Sequence, residues 1–157
     1  MSETKKVLFV CLGNSCRSPM AESVLRSFAV DNNNLFIDSA AIADWNVGRS
    51  PEPRCIQVLA EHNMTSDHIT RQISDNDFLE FDYIFGMDDY NIEDLKERAP
   101  QTSKAKILLL GEYDYNKPNV IPDPYFDRGI HGFRSAYEQI YRSCKNFYQD
   151  EILQNKV

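Results

Sequence analysis

The chain has 157 residues, with 24 acidic against 17 basic side chains and a net charge of −7. This acidic balance, without any cluster of Lys or Arg, argues against nucleic acid as a partner. The longest apolar runs, residues 7–12 and 107–110, are too short to cross a bilayer, so no membrane insertion is expected. The length fits a single domain over residues 1–157.

The predicted elements alternate between strands and helices along the chain. Apolar segments predict strands over residues 6–11, 36–40, 81–87 and 106–110. Apolar residues at helical spacing predict helices over residues 19–30, from Ser50 and Pro51 onward, over 88–98, and between 133 and 152. This alternation predicts an α/β fold: a single three-layer domain in which helices cover both faces of a four-stranded parallel sheet.

The four cysteines match no zinc-ligand spacing, because no CxxC pair and no nearby histidine accompanies them. The N-terminal residues do not read as a signal peptide. We therefore expect reduced thiols in a cytoplasmic protein that needs no metal and no cofactor.

The segment CLGNSCRS, from Cys11 to Ser18, predicts a phosphate-binding loop after the first strand. It lies between a buried strand and a helix start, where parallel sheets bind ligands. A chain that wraps there turns its backbone N–H groups around an anion, and the next helix adds its positive end. Gly13 and Asn14 tolerate the left-handed conformation that such a wrap demands. Ser18 is predicted to cap the helix, with Pro19 as its first residue.

The same loop carries reactive groups in a useful order. The positive field at its base favours a thiolate at Cys11, which makes this residue the candidate nucleophile. Arg17 offers a planar fork that matches two phosphate oxygens. Ser18 can donate a hydrogen bond to the thiolate and help it to leave. A cysteine at the end of a buried strand is also commonly an inert core residue, but the surrounding strand, loop and helix favour catalysis.

Asp123 is the candidate general acid. It lies in a predicted loop over residues 111–127, and long ordered loops in compact domains are usually functional. Pro122 and Pro124 bracket the aspartate and restrict its backbone. Its carboxyl group could protonate a leaving oxygen and then activate water. A solvated turn aspartate is the alternative interpretation.

The segment VLFVCLGNSCRSPMAE resembles the signature of the low-molecular-weight protein tyrosine phosphatases. Further matches follow in the family's order over nearly the whole chain, at residues 38–40, 45, 48–51, 68, 71–73, 81–84, 87–88 and 121–125. The resemblance implies hydrolysis of phosphotyrosine and aryl phosphate monoesters through a cysteinyl-phosphate intermediate. It extends to acid-phosphatase activity on small phosphomonoesters. Phosphotyrosine-bearing proteins would be the substrates, and we expect a monomer.

The resemblance also implies roles for individual residues. Cys11 matches the nucleophile, Arg17 the phosphate clamp and Asp123 the general acid. The remaining matches are the substrate-binding loop (Leu12, Gly13, Asn14, Ser15, Cys16, Ser18), the aromatic walls around a phosphotyrosine ring (Trp45, Tyr125) and two further residues that help to shape the loop (Ser39, His68). Cys16 also matches a second cysteine that forms a protective disulfide with the nucleophile.

Two positions depart from the family pattern. Ser15 stands where a bulky apolar residue such as Ile is usual, which affects the expected substrate affinity. Phe126 stands where vertebrate members tend to carry a second tyrosine that is phosphorylated.

Two other functions are compatible with such a loop. A thiol-linked arsenate reductase needs two more cysteines in a mobile segment, and residues 65–111 contain none. A non-catalytic phosphotyrosine-binding module would use the same fold, although every group needed for chemistry is present here.

Overall fold

Four parallel strands form one sheet in the computed structural model, which describes residues 4–117 and 119–154. The strands are β1 (Lys5–Cys11), β2 (Leu35–Ala41), β3 (Tyr83–Gly86) and β4 (Lys106–Leu109), in the order β2-β1-β3-β4. Both ends of the predicted domain, at residues 1 and 157, lie outside the described residues, as does Pro118 of the predicted loop. The predicted four-stranded parallel sheet is confirmed.

Helices cover both faces of this sheet. They are α1 (Arg17–Phe28), α2 (Pro53–Glu61), α3 (Asp75–Glu80), α4 (Asp89–Arg98) and α5 (His131–Phe147), and a π-helical turn (Tyr148–Leu153) extends α5. Side chains of β1 alternate between two cores: Val7 and Phe9 pack with α1, α2 and α5, while Leu8 and Val10 pack with α3 and α4. The α/β prediction with helices on both faces is therefore confirmed. Among the described residues, no helix is long and apolar enough to cross a membrane.

The start of α1 differs from its prediction. Cys16 is the N-cap and Arg17 the first helical residue, so Pro19 is the third residue instead of the first. A proline is tolerated there because the first four amides of a helix have no partner within it. The helix also ends at Phe28, two residues earlier than predicted. Because α1 begins at Arg17, only five residues separate it from β1, and the connecting loop is tight.

Two further elements differ from the sequence-based prediction. The second helix begins at Pro53 because the side chain of Glu52 caps it by accepting from the amide of Arg54. Helix α3 was not predicted, and a capping box between Ser74 and Asp77 starts it. The predicted loop after β4 opens with a 3₁₀ turn (Leu110–Tyr113).

Strand β1 marks the point where the strand order reverses, since β2 pairs with one of its edges and β3 with the other. Ligands of open parallel sheets bind at the carboxyl ends of the strands beside such a point. The loop between β1 and α1 lies there.

Candidate active site

The loop after β1 turns its carbonyl groups outward. Every carbonyl of residues 12–16 accepts a hydrogen bond, and the donors, in order, are Ala43 N (2.9 Å), Asn46 Nδ2 (3.1 Å), Thr70 Oγ1 (2.8 Å), Glu52 N (2.9 Å) and Cys55 Sγ (3.3 Å). The carbonyl and the following amide of a trans peptide point in opposite directions. The amides of the loop are therefore left to face its concave side, where they form a nest for an anion.

Asn14 gives the loop its turn. Its φ of 50° lies in the left-handed region, which Asn adopts more readily than most residues. The prediction that Gly13 also adopts this conformation is wrong, because Gly13 is not among the residues with positive φ. A Cβ at Gly13 would lie 2.9 Å from Nδ2 of Asn46, so a side chain there would displace the amide that donates to the Gly13 carbonyl.

Cys11 lies at the base of the loop and is 3% exposed. Its Sγ lies 3.1 Å from Oγ of Ser18. That hydroxyl oxygen accepts from Nδ2 of Asn14 at 2.7 Å, so its own hydrogen is available to the sulfur. Ser18 can therefore stabilise a thiolate at Cys11.

A buried hydrogen-bond network supports Asn14 from behind. Nδ2 of Asn14 donates to Oγ of Ser39 (3.0 Å), and Oδ1 of Asn14 lies 2.7 Å from Nε2 of His68. Both of these partners also contact the same carboxylate oxygen of Glu22, Ser39 at 2.7 Å and His68 through Nδ1 at 3.1 Å. The structure thus brings the predicted supporting residues together and adds Glu22, which the sequence did not indicate.

Glu22 is ionised in this network. Burial alone would raise its pKa, but the hydrogen bonds from His68 and Ser39 hold the pKa below its ordinary value of 4.5. A lowered pKa stabilises the folded state fully above pH 4.5, and that contribution is lost as the pH falls through the folded-state pKa.

One group of possible metal ligands occurs among the described residues. The ligand atoms of Glu22, Asp38 and His68 lie within 4.8 Å of one another. These atoms already bond to protein: Asp38 to Arg71, and the other two as described above. The expectation that no metal is required stays a prediction.

Arg17 is held rigidly against the loop. Its Nη1 donates to Oδ2 of Asp88 (2.8 Å) and to the carbonyl of Ile121 (2.9 Å). Burial alone would lower its pKa, but the charges of Cys11 and Asp123, with the hydrogen bond to Asp88, raise the pKa above its ordinary value. Its buried Nε finds no acceptor among the described residues. A buried donor without a partner is costly, and an oxyanion in the loop would satisfy it.

Asp123 stands above Arg17. Its Oδ2 lies 3.6 Å from Nη2 of Arg17, and its Oδ1 accepts from the backbone amide of Tyr125 at 3.1 Å. The side chain of Asp123 is one-third exposed, so it reaches both the arginine and solvent.

A cavity of about 280 Å³ opens above the loop. It is lined by Cys11, Leu12, Gly13, Ser15, Cys16, Trp45, Asn46, Asp123, Tyr125 and Phe126. Trp45, Tyr125 and Phe126 are largely exposed and form an aromatic rim. Asn46 and Phe126 were not predicted to line the pocket, although each adjoins a predicted wall residue in the sequence. The remaining predicted residues lie below this cavity (Asn14, Arg17, Ser18) or behind the loop (Ser39, His68).

The other cysteines differ from Cys11 in their surroundings. Burial and the nearby charge of Cys11 raise the pKa of the Cys16 thiol far above its ordinary value. Burial likewise raises the pKa of Cys55 and Cys144, which pack in the core. These three remain neutral thiols near neutral pH.

The fold and the site together define a class: α/β proteins with a cysteine- and arginine-containing loop at the point where the strand order of a parallel sheet reverses. The family model of the low molecular weight phosphotyrosine protein phosphatases matches residues 6–157. The low molecular weight phosphotyrosine protein phosphatase of Sus scrofa is 48% identical over 151 residues, which cover 93% of this chain and 95% of the pig protein.

Solved structures agree with this assignment. The structure of Primo-1 matches with a TM-score of 0.91 at 44% identity, covering 94% of this chain and 99% of that one. The structure of DARP, described as a drosophila arginine phosphatase, matches with a TM-score of 0.89 at 42% identity, covering 97% and 98%. The chain belongs to the low molecular weight phosphotyrosine protein phosphatase family. It is therefore a phosphoric monoester hydrolase.

Proposed function

We propose that the chain hydrolyses phosphotyrosine in proteins, and small aryl phosphates, through a cysteinyl-phosphate intermediate. The observation that carries this proposal is the loop. All carbonyls of residues 12–16 are bonded outward, and the buried Nε of Arg17 has no acceptor among the described residues. A phosphate dianion in the loop would accept hydrogen bonds from the inward-facing amides and from Nε of Arg17.

In the first step, the thiolate of Cys11 attacks phosphorus. The S–P bond forms as the bond from phosphorus to the leaving oxygen breaks, and Asp123 transfers its proton to that oxygen. The 3.6 Å distance between Oδ2 of Asp123 and Nη2 of Arg17 supports this role, because it leaves the carboxyl group close to a phosphate bound by the arginine. The amides and Arg17 stabilise the negative charge on the transferring phosphoryl group.

In the second step, Asp123 acts in reverse. Its carboxylate removes a proton from a water molecule, the water oxygen attacks phosphorus, and the S–P bond breaks to release inorganic phosphate. The thiolate that leaves is stabilised by the hydroxyl of Ser18, 3.1 Å from Cys11 Sγ.

The aromatic rim supports an aryl substrate. Trp45, Tyr125 and Phe126 border the cavity above Cys11, where they can stack on or edge against a phenyl ring. The opening would also admit small phosphomonoesters, which supports acid-phosphatase activity. The test is a rapid-mixing assay with p-nitrophenyl phosphate. We expect a burst of p-nitrophenol equal to the enzyme concentration, followed by steady turnover, whereas binding without release would contradict the proposal.

Phosphoarginine is a second candidate substrate. One similar structure is described as an arginine phosphatase, and in this chain the half-buried Ser15 makes one stretch of the cavity wall polar. Its hydroxyl could accept from a guanidinium, which an apolar residue cannot do. Comparison of kcat/KM for phosphotyrosine and phosphoarginine decides between the two substrates.

Replacement of Ser15 by Ile should lower KM for phosphotyrosine several-fold with kcat nearly unchanged. The larger side chain would add apolar contact with the substrate ring, worth roughly 1–2 kcal/mol at full burial and less at a rim. Such uniform binding changes KM and leaves kcat alone. Inhibition by inorganic phosphate, which has no ring, is the control. If phosphate inhibition changes as much as KM, the side chain of Ser15 shapes the loop itself.

Peroxide should inactivate the enzyme reversibly. It would oxidise the Cys11 thiolate to a sulfenic acid, which the Cys16 thiol would condense with to form a disulfide and release water. Cys16 lines the same cavity as Cys11, which supports its role as the resolving partner. Mass spectrometry after peroxide treatment should show the Cys11–Cys16 disulfide, and a reducing agent should restore activity. Sulfinic acid at Cys11 with free Cys16 would contradict this.

We further propose a cytoplasmic monomer, with residues 1–157 forming one phosphatase domain that needs no cofactor and no metal. The four cysteines are all described and all free, which supports a reducing compartment. The net charge of −7 supports protein substrates over nucleic acid.

A further inference from the structure

We propose that Arg54 is a positioning residue that fixes the Asp123 loop relative to the phosphate loop. The inference rests on the proposed general-acid role of Asp123. Arg54 lies in the first turn of α2 and does not line the cavity above Cys11. Its action on the reaction would therefore pass through the loop that carries Asp123.

The guanidinium of Arg54 binds three backbone carbonyls just after Asp123. Nη1 donates to the carbonyls of Asp127 (2.6 Å) and Gly129 (2.7 Å), and Nη2 donates to that of Tyr125 (3.0 Å). Residues 122–130 form neither helix nor strand, so regular secondary structure does not fix their shape. A single side chain therefore ties together three peptide groups of an otherwise irregular segment.

Arg54 is itself held in place. Its Nε donates to both carboxylate oxygens of Glu52, at 2.9 and 3.2 Å, and its guanidinium lies 4.4 Å from the ring centroid of the buried Phe133. The N–H groups of the guanidinium make hydrogen bonds, and its flat face packs on an aromatic ring. A lysine cannot make both kinds of contact in the same way. The geometry of Arg54 is thus set by α2 on one side and α5 on the other.

The contacts continue into both reacting loops. The backbone amide of Glu52 donates to the carbonyl of Ser15 in the phosphate loop at 2.9 Å. At the other end, the backbone of Tyr125 joins Asp123 to Arg54. Its amide donates to the carboxylate of Asp123, and its carbonyl accepts from Arg54. The path Ser15–Glu52–Arg54–Tyr125–Asp123 therefore connects the nucleophile's loop to the acid.

This connection matters because proton transfer depends on distance. A general acid must lie within hydrogen-bond reach of the leaving oxygen, and small displacements of a reacting group lower rates strongly. The loss of Arg54 should therefore resemble a weaker form of the loss of Asp123. Binding of the phosphate group, which uses the amides and Arg17, should be unaffected.

The experiment compares Arg54→Ala and Arg54→Lys with the unchanged full chain on p-nitrophenyl and phenyl phosphate. We expect Arg54→Ala to lower kcat/KM, which reports the first chemical step alone, at least about tenfold on phenyl phosphate, whose leaving group needs a proton, and less than about threefold on p-nitrophenyl phosphate. Inhibition by inorganic phosphate should not change. The loss in Arg54→Lys should be smaller than in Arg54→Ala but larger than in the unchanged chain. If Arg54→Ala does not fold, the same comparison is made with Arg54→Lys.

Arg134→Ala is the matched control. Arg134 also joins α5 to α2, through Glu61 at 2.6 and 3.0 Å, but its guanidinium makes no bond to residues 122–130 in the described structure. This variant should retain the ratio of kcat/KM between the two substrates. A ratio that changes equally in Arg54→Ala and Arg134→Ala would overturn the inference, because general loosening of the two helices would then explain both.

A double-mutant cycle gives the decisive readout. On an Asp123→Ala background, Arg54→Ala should lower kcat/KM on phenyl phosphate by no more than about twofold, since the residue acts through the acid. An equal loss in both backgrounds would overturn the inference about Arg54 and leave the acid role of Asp123 intact. If Asp123→Ala does not itself change the leaving-group dependence, the proposed acid role fails, and the inference fails with it.

Discussion

Replacement of Cys11 by Ser should abolish turnover of p-nitrophenyl phosphate while phosphate and vanadate still bind. A serine hydroxyl is far less acidic than a thiol, so the loop holds no comparable nucleophile. The anion site remains, because its donors are the backbone amides and Arg17, whose Nη1 is fixed by Asp88 at 2.8 Å. Steady-state kinetics measures the loss, and calorimetry with vanadate measures the binding that survives.

Cys55→Ser is the control for this substitution. The Cys55 thiol donates to the carbonyl of Cys16 at 3.3 Å, and a serine hydroxyl can make the same bond. This variant should keep its activity within a few-fold of the unchanged chain. Residual activity above about one per cent in Cys11→Ser would identify a different nucleophile.

Replacement of Asp123 by Ala should lower kcat/KM on phenyl phosphate by roughly 10²–10⁴, the usual range for a lost general acid. The loss in kcat/KM should shrink on p-nitrophenyl phosphate, because that leaving group departs without a proton. A plot of log kcat/KM against the acidity of the leaving group measures the difference as a change in slope.

Asp127→Ala is the matched control, since Asp127 lies in the same loop but directs its carboxylate at Gly132 in α5 and does not line the cavity. It should leave the slope unchanged. Equal losses across leaving groups in Asp123→Ala would remove this residue from the acid role and leave it as a structural part of the loop.

Much of the fold was predictable because its signals are local. The central strands β1 and β3 are short, mainly apolar runs, and burial on both faces of a parallel sheet requires such runs. Helix α3 was not predicted because it has only six residues, of which Asp77 and Phe78 are buried. So short a segment contains no repeating pattern of apolar residues. Its capping box uses Asp where Glu or Gln is usual, which weakens the sequence signal.

The candidate site was predictable where its residues are close in sequence. The phosphate loop is one continuous segment, and its reactive groups appear in the order that the chemistry needs. Local patterns did not predict the partners of that loop: the family resemblance indicated Ser39, His68 and Asp123, and nothing in the sequence indicated Asp88 or Glu22. Asp88 lies 71 residues from Arg17, and Glu22 of α1 meets His68 from the irregular segment between α2 and α3. Local patterns indicate which face of a helix is buried, but not which side chain another segment will meet there.

The outward carbonyls of the phosphate loop have a thermodynamic consequence. Their donors belong to segments far apart in the chain: the stretch after β2 (Ala43, Asn46), the start of α2 (Glu52, Cys55) and the residues before α3 (Thr70). The loop therefore cannot keep its shape if any of these segments opens locally. An anion that binds the loop only in this shape therefore stabilises each of these segments against local opening, by an amount set by its binding free energy. Substrate and product thus stabilise parts of the molecule that they never touch.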